Sequence, residues 1–89
     1  MMDYPQYRAY FDENTIFEIL NNGNFIEIKR TGKYFAVSEI ECKLYPEKLF
    51  LQDLISASQD GIKVISLNDF EKIKSDWEKT LIKYEFKND

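Results

Sequence analysis

The chain has no histidine and a single cysteine, Cys42, among 89 residues. The first absence removes the commonest general base near neutral pH and the commonest transition-metal ligand. The second removes any intramolecular disulfide and every cysteine-rich zinc pattern, and it leaves Cys42 without the histidine that a thiolate nucleophile needs. A lone thiol suits a reducing compartment, so a cytoplasmic location is expected. Three scattered glycines, Gly23, Gly32 and Gly61, make neither a Walker loop nor a dinucleotide fingerprint. No acidic cluster has EF-hand spacing. These absences together predict no cofactor, no metal and no catalysis. Long apolar runs are missing too, and the opening Met1-Met2-Asp3-Tyr4-Pro5 lacks a basic and an apolar leader region, so neither a membrane span nor a secretion signal is expected.

Positive charge is thin. The net charge is −4, and the one cationic stretch, residues 29–48, sets Lys29, Arg30, Lys33, Lys43 and Lys48 against Glu39, Glu41 and Glu47. Phosphate affinity scales with the number of cations presented together, so nucleic acid is not an expected partner.

What the chain has is apolar content: 44% hydrophobic residues, with seven Phe, six Tyr and one Trp. That is enough for one folded domain over residues 1–89, with strands over about residues 6–66 and a helix over about 67–84. Asn22-Gly23, flanked by apolar alternation, reads as the type I′ loop of a hairpin that sets Phe17 against Ile28, Glu18 against Glu27 and Ile19 against Ile26. A second two-residue loop at Thr31-Gly32 sets Ile28 against Phe35 and Ile26 against Val37. One face is then wholly apolar: Phe17, Ile19, Ile26, Ile28, Phe35 and Val37. Before it, Tyr4 to Phe11 forms a first strand, and a three-residue loop at Glu13 to Thr15 places Tyr7, Ala9 and Phe11 on the apolar face and Arg8 and Tyr10 on the other.

Beyond Val37 the alternation carries Glu39 and Glu41 onto the core side, by an overhanging strand or a bulge. Lys43 to Lys48, with Pro46, reads as a connection. Leu49 to Ser56 fits a buried strand or a short helix, with strand favoured, and a turn at Ser58 to Gly61 leads into a strand at Ile62 to Ile65. Ser66 and Asp69 form a capping box, and Phe70, Ile73, Trp77, Leu81 and Tyr84 a helical stripe. The predicted fold is mostly β within the α+β class: a bent antiparallel meander of five or six strands, SH3-like or a half-barrel, closed by one C-terminal helix.

Two constellations carry chemistry. Glu18 and Glu27, opposite each other in this register, could form a carboxylate pair for metal-dependent hydrolysis, although Lys29 and Arg8 on the diagonals would neutralise it. Tyr10, Ile16, Leu20, Phe25 and Tyr34 fall off the apolar face and predict an aromatic contact surface, unless the sheet closes over them. The opening Tyr4-Pro5-Gln6-Tyr7-Arg8-Ala9-Tyr10 resembles the start of small uncharacterised bacterial proteins; the resemblance covers about the first third of the chain and implies no function. The predicted function is a non-catalytic interaction protein, an adaptor, accessory subunit or inhibitor of another protein, with a homodimer expected through the aromatic surface. The alternatives are a small-molecule-binding module on that surface and, more weakly, the carboxylate-pair hydrolase.

Overall fold

The computed structural model describes residues 3–57 and 61–84. The elements are β1 (Gln6–Tyr10), β2 (Thr15–Asn21), β3 (Asn24–Thr31), β4 (Tyr34–Glu41), α1 (Tyr45–Ser56), β5 (Ile62–Ile65), α2 (Leu67–Thr80) and β6 (Ile82–Lys83). They build one open six-stranded sheet in the order β5-β1-β2-β3-β4-β6. Every pairing is antiparallel except β4 with β6. The chain is thus mostly β and α+β, as expected. The sheet does not curl into an SH3-like barrel or half-barrel, because a helix lies on each of its faces.

Residues 49–56, expected as a strand, belong to α1. Pro46 sits in its first turn, where a missing N–H is harmless, and the Glu47 carboxylate accepts from the backbone N–H of Leu44 at 2.9 Å and of Lys43 at 3.1 Å. Leu51 and Leu54 are its buried positions, one turn apart. From β4 the chain crosses one face as α1, runs along the far edge as β5, returns across the other face as α2 and ends beside β4 as β6. Of the capping box expected at α2 the Ser66 half is present, with the Asp69 N–H donating to Ser66 Oγ at 3.0 Å. The helix stops at Thr80, short of Tyr84, because Leu81 turns extended and the next residues pair with β4. Of the expected Ser58 to Gly61 turn, only Gly61 lies within the described residues.

Two cores follow. Against α2, Ala9, Ile16, Ile28 and Phe35 pack with Phe70 and Trp77; against α1, Phe17, Ile19, Phe25 and Ile62 pack with Leu51 and Leu54. The expected single apolar face is therefore divided. Phe17 and Ile19 leave it, while Ile26, Ile28, Phe35 and Val37 stay together.

The cause is register. Asn21 pairs with Asn24 as the Asn22-Gly23 loop requires, but the ladder then shifts at Leu20, so Ile16 faces Ile28 and Phe17 faces Glu27. A slip of one residue moves a side chain to the opposite face. Neither Asn22 nor Gly23 adopts positive φ, so the loop is not type I′; the Asn21 side-chain oxygen accepts from the Gly23 N–H at 2.8 Å instead. The β3–β4 loop is Gly32-Lys33 rather than Thr31-Gly32, with Gly32 at φ 60°. That change moves the register by two and so preserves the faces. The β1–β2 ladder pairs Ala9 with Ile16 and leaves Phe11 65% exposed rather than in the core.

Candidate functional site

α1 covers only one end of its face. There the rings of Phe17, Phe25 and Phe50 meet with centroids 5.7 to 6.2 Å apart. At the other end, β4 and β6 run side by side with Tyr34 level with Ile82. Tyr34, Ile82 and Tyr84 stay 42%, 53% and 52% exposed. Tyr34, Ala36 and Tyr84, with Lys29, Thr31 and Phe35, line a hollow of about 420 Å³. The Lys33 ammonium lies 5.7 Å from the Tyr34 ring centroid, within cation–π range.

A second hollow of about 400 Å³ shares Lys29 with the first and is lined by Tyr10, Thr15, Glu27 and Arg30 with Asp12 and Asn14. Burial, then the charges of Glu27 and Asp12, push the Tyr10 hydroxyl above its ordinary pKa, so it stays a neutral donor there. The patch thus grades from aromatic at β6 to polar at the β1–β2 turn. A broad open cleft of about 760 Å³ between that turn and α2 has mixed charge, with Asp12, Glu13, Asp69 and Asp76 interspersed with Arg30, Lys72 and Lys79.

The five residues expected to share one surface do not. Ile16 is fully buried on the α2 side; Phe25 is buried and Tyr10 half-buried in the α1 core; Leu20 is half-buried at the register shift. Tyr34 alone remains open. Its neighbours on the patch are Ile82 and Tyr84, which the helical spacing of α2 concealed by extending the stripe to Tyr84.

The expected carboxylate pair is absent as a pair. Glu18 faces the α2 side beside Tyr7, and Glu27 faces the α1 side near Tyr10. Burial first, then the charges of Glu18 and Glu71, raise the Tyr7 pKa. Among the described residues no three of His, Cys, Asp and Glu come together to hold a metal. Burial and, more weakly, Glu47 raise the Cys42 pKa, against a smaller opposing effect of Lys48, which leaves it a thiol.

Sequence reasoning also placed Arg8 on the solvent side. It is 4% exposed, and its guanidinium donates to the carbonyls of Leu54 at 2.8 Å, Ile55 at 3.0 Å and Tyr7 at 2.8 Å, and to Gln6 Oε1 at 2.6 Å. Leu54 and Ile55 lie in the last turn of α1, where carbonyls lack intrahelical partners and the helix dipole is negative. That turn has no basic residue of its own. Arg8 caps it from β1.

No family model, no curated protein and no solved structure matches this chain. No helix among the described residues is long and apolar enough to cross a membrane.

Proposed function

We propose that the domain is a non-catalytic interaction module, an adaptor, accessory subunit or inhibitor, that holds another protein against the Tyr34, Ile82 and Tyr84 patch. The observation that carries this is the placement of three large side chains, each about half exposed, side by side on the sheet end that α1 leaves bare. Contiguous apolar area of this kind, rimmed by Lys29 and Lys33, is the composition of a protein contact: aromatic at the centre and polar at the rim. A second copy of the chain is the simplest occupant, because a two-fold contact needs only a self-complementary patch.

The test compares wild type with Tyr34→Glu by light scattering over a concentration series and by capture of host proteins identified by mass spectrometry. Either self-association or a captured protein is expected in the wild type and is lost in the variant, whose amide spectrum remains folded. If the wild type neither self-associates nor holds any protein that Tyr34→Glu releases, the reading is wrong.

One observation favours a second reading. The hollow of about 420 Å³ beside Tyr34 is within the size range of small-molecule sites, which would make the domain a small-ligand carrier. Saturable shifts of the Ala36 and Tyr84 resonances in a fragment screen, without any protein partner, would favour it over the first.

A further inference from the structure

We propose that β4 is also a strand-addition site: its edge from Val37 to Glu41, unpaired among the described residues, takes an extended, lysine- or arginine-rich segment of a partner protein. The inference rests on the domain's being a binding module but uses a surface separate from the aromatic patch.

Two sets of hydrogen bonds fix which way the β4 backbone points. On the β6 side, the Ile82 N–H donates to the Lys33 carbonyl at 2.9 Å and the Tyr84 N–H to the Phe35 carbonyl at 2.7 Å. Backbone groups alternate along a strand, so the odd-numbered ones point away from β3. On the β3 side, the Cys42 N–H donates to the Gly23 carbonyl at 2.8 Å, which makes the even-numbered groups the inward ones. Both ends agree. Val37, Glu39 and Glu41 therefore present N–H and C=O outward, and β6 covers only Tyr34 and Phe35 among the described residues. The same edge already accepts one short strand, and beyond it these groups pair with nothing among the described residues. An incoming segment would meet a pre-formed ladder and need no rearrangement.

Charge selects the occupant. Val37, Glu39 and Glu41 project on the α2 side of the edge and are exposed, beyond the reach of the Phe70 to Leu81 stripe. A strand laid here places its own alternate side chains beside them, and cations beside Glu39 and Glu41 make opposite-charge cross-strand pairs. Among the described residues the ion pair at this edge, Lys43 with Glu41 at 3.7 Å, has both side chains mostly in water and is weak competition. The same carboxylates disfavour a second copy of the chain. Two-fold antiparallel pairing of the three outward residues puts Glu39 against Glu39, a like-charge contact of the kind that protects edges from self-pairing.

The experiment uses the full chain and an eight-residue synthetic peptide of alternating lysine and valine, with a glutamate–valine peptide as control. With the basic peptide at roughly ten times its Kd, amide exchange at Val37, Glu39 and Glu41 is expected to slow about tenfold. The amides of Ser38 and Ile40, already bonded to β3, should change little. Glu39→Lys with Glu41→Lys is expected to reverse the preference towards the acidic peptide. Glu39→Pro removes an outward donor without touching the β3 ladder and is expected to abolish the protection. No slowing, equal slowing with the acidic peptide, or a charge-swapped variant that keeps the original preference would overturn the proposal. Tyr34→Glu leaves these groups in place, so loss of the aromatic reading and loss of this one are separate results.

Discussion

Arg8 brings a positive charge into the interior, where the described residues that accept its hydrogen bonds do so through neutral oxygens. Burial lowers its pKa, and the loss of hydration is offset by four hydrogen bonds, two of them to the negative end of α1. Replacing it by Met keeps much of the volume but strands the Leu54 and Ile55 carbonyls. Arg8→Met is therefore expected to lower stability by about 1–3 kcal/mol, with amide protection lost first in α1. Urea unfolding with hydrogen exchange checks both, and an equally stable variant with a protected α1 would show that the cap contributes nothing. Tyr7 and Tyr10 link stability to alkaline pH. Both hydroxyls titrate above the ordinary phenol value of 10.0, so the folded state keeps its protons longer than the unfolded chain. The stability linked to them is full below about pH 10 and falls as the pH rises through the folded values. Urea midpoints measured from about pH 8 to about pH 11 should drop at the alkaline end, and drop less in Tyr7→Phe.

At the scale of elements, the one-residue shift at Leu20 is the decisive event, because it sends Phe17 to the α1 core and Ile16 to the α2 core. A double-mutant cycle reads this directly. Ile16→Ala with Ile28→Ala should couple by more than about 0.5 kcal/mol, and Phe17→Leu with Ile28→Ala by less, since the sheet separates them. Coupling in the second pair equal to the first would restore the unshifted hairpin. Strands β1 to β5, the hairpin loops to within a residue or two, and the Ser66 cap were legible in the sequence because each rests on local chemistry. The division of the core was not. A sheet covered on both faces needs no polar side, so Ile16-Phe17 and Ile19-Leu20 are both apolar pairs and alternation ceases to mark register. α1 escaped for a related reason. Pro46 reads equally as a breaker and as a first-turn residue, while Leu49, Leu51, Gln52 and Leu54 are good helix formers whose propensity favoured the right answer. Tyr34 was legible as an exposed aromatic, but Tyr84 was not its visible neighbour, because only the end of α2 at Thr80 releases it to β6.

Across the whole molecule, two of the surfaces that the described residues leave uncovered lie next to each other: the aromatic end around Tyr34 and the outward groups of β4. They adjoin along one edge of the sheet, so a protein held on the first would have its extended segments within reach of the second. The route of the chain around the sheet has a kinetic consequence. β1 to β4 pair with their immediate neighbours in sequence, so the meander closes through short loops. The β1–β5 ladder joins Tyr7 to Ile65, and β6 returns to Tyr34, which makes both edges long-range contacts that form only after the helices have crossed the faces. Folding should then proceed from the inner hairpins outwards. Lys29→Gly, within β3, is expected to slow refolding, whereas Val64→Gly, on β5, should leave refolding nearly unchanged and speed unfolding. Stopped-flow chevrons distinguish the two. A refolding arm that responds to Val64 as strongly as to Lys29 would mean that α1, β5, α2 and β6, which enclose the meander like a belt, are fastened before it has formed.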